Sequence, residues 1–284
     1  MSIFQDIPQG LREMSPTFII APSTRNGTTL VQRLINSSRE MLIFGEDSMI
    51  MKGIPYILDA VRGRVEDRED RVLEIQEQFK SETRDFWSNN LLPQGAGIWK
   101  ASLNWALETF SYCQEQAEGL GAKRWGCKYP LDHYRVAEEY FSVLPAAKFI
   151  FIYRDFYDVA RSAKARTWLK SERDLEAMAF RWKQNMLWAL NLKRDNFYLL
   201  KYENLIENSE EEIRKLQEFL ALEGIDKAIM EKKINTFQGS PEEGCSPTGY
   251  IEPCDLSDKE MAIIAKTAGR ALRQAGYSSP SLSA

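Results

Sequence analysis

Histidine and closely spaced cysteines are scarce in this sequence of 284 residues. It has one histidine and four cysteines, and no two of the cysteines form a Cys-x-x-Cys pair. Structural zinc sites combine cysteine and histidine ligands at short spacings, so the sequence predicts no such site. The pattern also gives no indication of a disulfide framework. The cysteines are Cys113, Cys127, Cys245 and Cys254.

Long apolar runs and an excess of one charge are also absent. No apolar stretch approaches the roughly 20 residues that a membrane-spanning helix needs. The first 16 residues lack the basic-then-apolar pattern of a signal peptide. A net charge of −4 gives no basic face for nucleic acid at the level of composition. These absences predict a cytoplasmic protein with neither a membrane nor a nucleic-acid partner.

The hydrophobic fraction of 44% is ample for a packed core. We predict one domain over residues 1–284. Residues 52–122 combine a charged helical pattern with a series of aromatic residues, which predicts a helical region. Residues 278–284 are rich in serine and proline and are predicted to form a flexible tail.

Short apolar runs alternate with helical patterns along most of the chain. Strands are predicted at 18–20, 41–44, 147–153 and 196–200, and helices after 28 and 157 and at 175–192, 209–220 and 257–275. This alternation predicts an α/β fold with a central parallel sheet and helices on both faces. Ligands of such sheets bind beyond the carboxyl ends of the strands. Arg25, Glu46 and Arg154 directly follow predicted strands and should therefore converge.

The turn after the first strand has the composition of an anion site. Gly27 allows a tight turn, Thr28 and Thr29 can cap the next helix, and Arg25 adds a cation next to that helix N-terminus. A nucleoside-triphosphate loop would need Gly-x-x-x-x-Gly-Lys-Ser/Thr. Its lysine and first glycine are missing, which argues against a P-loop kinase. A capped strand–turn–helix without a ligand is the simpler alternative.

A second group of polar residues follows the strand at 147–153. Arg154 stands at the end of that strand, and Ser162 and Arg166 are four residues apart on the next helix, hence on one face. Two guanidinium groups and a hydroxyl suit a dianionic phosphate. A surface salt-bridge cluster is the alternative interpretation.

These segments together resemble the sulfotransferases that use 3′-phosphoadenosine 5′-phosphosulfate (PAPS). Arg25-Asn-Gly-Thr-Thr29 is similar to their 5′-phosphosulfate loop, and the run from Phe149 to Ser162 looks like their 3′-phosphate motif. Three shorter segments are similar to the protein-tyrosine and bacterial branches of the family: Gly45-Glu46-Asp47, Lys128-Tyr-Pro130 and Tyr202-Glu203-Asn-Leu205. The resemblance covers residues 17–50 and 123–222.

The resemblance implies a P-loop-like three-layer fold and sulfuryl transfer from PAPS, with 3′-phosphoadenosine 5′-phosphate (PAP) as the product. Because the sequence lacks a secretory signal and a basic groove for acidic peptides, we expect the acceptor to be a hydroxyl or amine of a small molecule, as in bacterial secondary metabolism. Region 52–122 is expected on the acceptor side. No metal is expected. A protein tyrosine as acceptor is one alternative, and a nucleotide-binding module without catalysis is another. The oligomeric state is not indicated.

The resemblance also implies roles for individual residues. Arg25 and Lys128 would stabilise the leaving phosphate, and Glu46 would be the general base, with Asp47 or His133 as alternatives. The loop 239–255 lacks the Arg-Lys-Gly element that closes over the 3′-phosphate in many members. Gly249 and Tyr250 would supply contacts there instead. The implied donor-binding residues are Arg25, Asn26, Gly27, Thr28, Thr29, Arg154, Ser162, Arg166, Trp182, Tyr202, Gly249 and Tyr250.

Overall fold

A computed structural model of the chain describes residues 6–81, 91–231 and 251–278. Within these ranges the strands are β1 (Thr17–Ala21), β2 (Met41–Phe44), β3 (Arg124–Pro130), β4 (Lys148–Tyr153) and β5 (Phe197–Lys201). The α-helices are α1 (Gln9–Glu13), α2 (Thr28–Ser37), α3 (Ile54–Ser81), α4 (Gly95–Gly119), α5 (Arg135–Val143), α6 (Phe156–Ala165), α7 (Glu172–Asn191), α8 (Tyr202–Glu207), α9 (Ser209–Leu220) and α10 (Asp258–Gln274). A π-helical turn spans Met49–Gly53, and a 3₁₀ helix spans Lys227–Glu231.

The chain divides into two compact units, so the single domain predicted for residues 1–284 stays a prediction. Residues 279–284 of the predicted tail lie outside the described residues. One unit comprises Met1–Ser15, Ser48–Gln116 and Arg135–Ala146, and the other comprises Pro16–Asp47, Ala117–Tyr134 and Ala147–Ala284.

The second unit contains a five-stranded sheet with the order β2-β3-β1-β4-β5, and every neighbouring pair is parallel. β1 lies at the centre, where Ile19 is opposite Lys128 of β3 and Ile150 of β4. All five residues of β1 are buried, as expected for a strand covered on both faces. The predicted parallel sheet is therefore confirmed.

Successive side chains of each strand point to opposite faces of this sheet. On one face Ile19 and Ile150 pack in a buried cluster with Leu34 of α2 and Leu216 of α9. On the other face the ring of Phe151 lies 6.1 Å from that of Trp188 on α7. The fold is thus a P-loop-like three-layer α/β architecture, in which β1, a glycine turn and α2 form the strand–loop–helix motif.

β3 is the strand that the sequence patterns did not predict. Its sequence, Arg-Trp-Gly-Cys-Lys-Tyr-Pro, interrupts the apolar pattern with two cations, a glycine and a proline. The glycine has a packing reason, because a Cβ at Gly126 would lie 2.0 Å from the carbonyl oxygen of Thr17. Close approach of β1 and β3 therefore requires a residue without a side chain at this position.

The first unit is helical and holds α3, most of α4 and α5. A stripe of buried residues at helical spacing runs along α4 and includes Trp99, Leu103 and Phe110. Glu69 of α3 accepts hydrogen bonds from the backbone N–H of Gly95 at 2.8 and 2.9 Å, which fixes the start of α4. Helices therefore fill the described part of region 52–122, while its acceptor-side role stays a prediction.

Among the described residues, no helix is long and apolar enough to cross a membrane. No three histidine, cysteine, aspartate and glutamate side chains of these residues form a group that could hold a metal ion.

Candidate sulfuryl-transfer site

The turn between β1 and α2 follows a tight path around Gly27. Gly27 has a φ of 100°, in the left-handed region that favours glycine. A Cβ at this position would lie 2.6 Å from Cδ2 of Tyr202 and 3.1 Å from Cδ1 of Ile152. Both the conformation and the space therefore require glycine, which agrees with the sequence analysis.

The N-terminus of α2 differs from the capped helix that the sequence predicted. The helix begins at Thr28, Gly27 occupies the N-cap position, and no side chain caps the helix by a hydrogen bond. The threonines therefore lie in the first turn and do not cap it, with Thr28 buried and Thr29 exposed. First-turn N–H groups that no side chain caps are suited to bind an anion.

Asn26 connects the turn to the end of β4. Its side chain is fully buried. Nδ2 donates to the carbonyl oxygen of Ser23 at 2.9 Å, to Ser23 Oγ at 3.0 Å and to the carbonyl oxygen of Thr24 at 3.1 Å. Oδ1 accepts from the backbone N–H of Arg154 at 2.9 Å. The two sequence motifs, 128 residues apart, are thus joined by one amide.

Arginine side chains from both motifs lie close together. Nε of Arg25 donates to Ser162 Oγ at 3.0 Å. Burial, and then the positive charges of Arg166 and Arg154, lower the pKa of Arg25 to about 10. A cation whose charge is destabilised by neighbouring cations favours the binding of an anion.

Two contacts hold the Arg154 guanidinium, one with an aromatic ring and one with a carboxylate. Its guanidinium carbon lies 4.6 Å from the ring centre of Tyr202, and Nη2 donates to Asp158 at 3.3 Å. Nε is buried and has no hydrogen-bond partner among the described residues. Ser162 lies in α6, whereas Arg166 follows the last residue of that helix as its C-cap.

Two residues to which the sequence analysis gave no role, Asp158 of the Phe149–Ser162 motif and Trp168, border this arginine group. Asp158 accepts from both Arg154 and Arg161, at 3.3 and 3.0 Å. The ring of Trp168 lies 5.4 Å from the guanidinium carbon of Arg25. The i, i+4 spacing could have indicated the Arg154–Asp158 pair, but nothing in the sequence pattern indicated Trp168.

The predicted catalytic carboxylate and lysine form an ion pair. Nζ of Lys128 donates to Oε1 of Glu46 at 2.7 Å, with the lysine buried and the carboxylate half-exposed. Sγ of Cys127 donates to the carbonyl oxygen of Gly45 at 3.0 Å, which anchors the start of the Gly45-Glu46-Asp47 segment. The N–H of Asp47 turns back to the same carbonyl at 2.9 Å, and its side chain is exposed.

The remaining predicted donor contacts fall into three cases. Tyr202 lies against both Arg154 and the position of Gly27. Trp182 is fully buried with its ring 5.6 Å from that of Phe156, so its contact with a nucleotide stays a prediction. Gly249 and Tyr250 lie outside the described residues.

A network of hydrogen bonds holds the backbone that follows β4. The carboxylate of Glu203 accepts from the backbone N–H of Asp155 at 3.0 Å and from the hydroxyl of Tyr277 at 2.7 Å. Asp155 caps α6 by accepting from the N–H of Tyr157 at 2.9 Å. Burial raises the pKa of Asp155 to about 6. Glu203, next to Tyr202 in the sequence, thus has a supporting role.

Comparison with known proteins assigns the chain to a family. Solved structures similar to it include the sulfotransferase domain of the olefin synthase of Synechococcus PCC 7002 (16% identity, 77% of each chain covered, TM-score 0.45) and that of the curacin biosynthetic pathway (15% identity, 95% and 100% covered, TM-score 0.47). A sulfotransferase of Mycobacterium avium is also similar (15% identity, 77% and 66% covered, TM-score 0.41). No curated protein matches the sequence. The model of the sulfotransferase family matches residues 16–226. The chain belongs to the sulfotransferase family.

Proposed function

We propose that this protein transfers the sulfuryl group of PAPS to a hydroxyl or amine of a small molecule. The observation that carries this proposal is the group of Arg25, Arg154 and Arg166 near the carboxyl ends of β1 and β4, where burial and the charges of the other two arginines lower the pKa of Arg25. Two of its members, Arg25 and Arg154, are oriented by contacts within the protein. Such a group is suited to a ligand with more than one phosphate.

The described residues fit the two phosphates of such a donor. Thr28, Thr29 and the first-turn N–H groups of α2 would hold the 5′-phosphate, because no side chain caps that helix. Arg154, Ser162 and Arg166 would hold the 3′-phosphate. The buried Nε of Arg154, which lacks a partner among the described residues, is a donor that such a ligand would satisfy.

The chemistry of sulfuryl transfer also gives a role to the ion pair of Glu46 and Lys128. PAPS supplies a sulfuryl group on a phosphate that leaves as PAP: the bond from sulfur to the phosphate oxygen breaks as the bond to the acceptor forms. Glu46 would take the acceptor's proton. Arg25 and Lys128 would place fixed positive charge where negative charge develops on the leaving phosphate. The 2.7 Å contact with Lys128 holds the Glu46 carboxylate in place.

Calorimetric titration with PAP, 5′-AMP and ATP, first in the absence of magnesium and then with magnesium added, tests the donor. We expect PAP to bind far more tightly than 5′-AMP. Arg154→Ala should weaken PAP about 10- to 150-fold by removing a charge-assisted contact, and should leave 5′-AMP almost unchanged. Arg214→Ala is the matched control, because Arg214 forms an exposed i, i+4 pair with Glu218 on α9.

The contrary outcomes of this titration are equally informative. Unchanged PAP affinity in Arg154→Ala would refute the assignment of the 3′-phosphate. A requirement for magnesium and a triphosphate would replace the proposal by a kinase-like function.

Release of PAP from PAPS, measured with a panel of small phenols, alcohols and amines beside tyrosine peptides, tests catalysis. Glu46→Gln should lower kcat about 10²- to 10⁴-fold, since a general base contributes that much, while PAP affinity is retained. If Asp47→Asn gives the large loss instead, Asp47 is the base. Turnover with tyrosine peptides alone would favour the protein-tyrosine alternative. Tight PAP binding without any turnover would favour a module that has lost catalysis.

A further inference from the structure

We propose that Trp168 is a positioning residue for Arg25, and that its ring keeps the guanidinium oriented for the leaving phosphate of the donor. The proposal rests on the proposed function. Its first observation is the contact itself, with the guanidinium carbon 5.4 Å from the ring centre. Trp168 is also 49% exposed, so filling the core does not explain its size.

The backbone before Trp168 adopts a costly conformation that brings the ring to this place. The N–H of Trp168 donates to the carbonyl of Ala163 at 3.1 Å, and that of Thr167 to Lys164 at 2.9 Å. These two bonds form a Schellman motif at the end of α6, in which glycine is usual at the left-handed position. Here that position holds the β-branched Thr167, with a φ of 56°. The chain thus keeps a strained turn at the residue that precedes Trp168.

A ring suits Arg25 better than a carboxylate would. Arg25 lies partly desolvated in the field of Arg154 and Arg166, which destabilises its charge. The quadrupole of an aromatic ring stabilises a guanidinium that lies over its face. The ring has no oxygen atom that would occupy the N–H donors of the guanidinium. Nε already donates to Ser162, so an anion would be bound by the Nη groups, for which the described residues show no hydrogen-bond partner. A carboxylate partner would neutralise the charge and occupy the same donors.

The test compares PAP affinity across variants with different rings at position 168. Trp168→Ala should weaken PAP about 5- to 30-fold, the range expected for a partly desolvated cation–π contact. Trp168→Leu keeps apolar bulk without a π face and should show most of that loss. Trp168→Phe keeps a π face and should restore most of the affinity. Similar affinity in the Leu and Phe variants would overturn the proposal.

A double-mutant cycle with Arg25→Ala measures whether Trp168 acts through Arg25. In that background Trp168→Ala should cause little further loss of PAP affinity. Full additivity of the two losses would overturn the proposal. Phe180→Ala is the matched control, because Phe180 is 48% exposed and contacts Lys183 of its own helix at 4.9 Å. Phe180→Ala should leave PAP affinity unaffected.

Failure of this inference differs from failure of the proposed function. If the wild-type protein shows no preference for PAP, the proposed function fails. If PAP binds and Arg25→Ala weakens it, while Trp168→Ala does not, only the role of Trp168 is wrong. Where Trp168→Ala fails to fold, the comparison of Trp168→Leu with Trp168→Phe still decides.

Discussion

Replacing Asn26 by alanine should both destabilise the protein and impair the recognition of the 3′-phosphate. The Asn26 amide is fully buried and joins the loop after β1 to the start of the second motif. Alanine removes the acceptor of the Arg154 N–H and the donor to the Ser23 and Thr24 carbonyls. No other residue of the loop is expected to replace these bonds, because the amide reaches all three groups from one position.

The magnitude follows from the groups left without partners. An NH₂ group has two hydrogens, so at most two of the three contacts of Nδ2 are full hydrogen bonds. Alanine leaves the part-buried N–H of Arg154 and at least one carbonyl of the loop without these partners. Each such group costs about 1–3 kcal/mol. We therefore expect Asn26→Ala to lower the free energy of unfolding by about 2–6 kcal/mol.

Urea denaturation measures this loss, and Asn191→Ala provides the control. Asn191 also donates from its side-chain amide to a carbonyl, that of Leu187 at 2.7 Å, but it is exposed at the end of α7. Water can replace that bond, and alanine is a better helix former, so the control should change stability by under about 0.5 kcal/mol. Calorimetry of the folded variants should show that Asn26→Ala loses PAP affinity more than 5′-AMP affinity.

Two results would refute this reasoning. A loss of stability in Asn26→Ala no larger than in Asn191→Ala would mean that the buried contacts contribute little. An equal loss of affinity for PAP and 5′-AMP would mean that Asn26 shapes the loop alone and does not position Arg154.

Two further variants test the turn and its support. Gly27→Ala should abolish PAP binding and lower the free energy of unfolding more than Gly121→Ala. Both glycines have positive φ, but only the first would clash with neighbouring side chains, and urea denaturation with calorimetry checks both effects. Asp155→Asn should raise stability at pH 7 by about 1–2 kcal/mol after a discount for solvent screening. Burial raises the pKa of Asp155 from 3.8 to about 6. The stability that protonated Asp155 contributes is therefore present below pH 4 and is lost as the pH rises towards 6. Asparagine at this position would still cap α6. Denaturation of both proteins at pH 4 and pH 7 checks this sign. The same difference in stability between the variant and the wild-type protein at both pH values would contradict it.

Four of the five strands were predictable because their sequences are short apolar runs. β1, β2, β4 and β5 lie where the sequence analysis expected strands, and α9 has the predicted bounds. The convergence of Arg25 and Arg154 was also predictable, since the carboxyl ends of parallel strands share one edge of the sheet. What the patterns contained was therefore the local periodicity of each element and the edge on which its last residue lies.

β3 and Trp168 were not predictable because their positions depend on residues distant in the sequence. Gly126 is a poor strand residue in isolation, yet the carbonyl of Thr17 leaves no room for a side chain there. Trp168 lies against Arg25 directly after Thr167, which adopts a left-handed conformation that its side chain disfavours. In both cases the observed structure differs from the local preference of the sequence.

The position of β3 also bears on the choice between the two candidate bases. β3 lies between β2 and β1, and its register places Phe44 opposite Cys127, one residue before Lys128. Glu46 follows two residues after Phe44, and its side chain accepts from Lys128 at 2.7 Å. The backbone N–H of Asp47 donates to the carbonyl of Gly45. A shift of one residue in this pairing would move the lysine to the other face of the strand. The register that no local pattern predicted thus supports the proposal that Glu46 is the carboxylate that acts with Lys128.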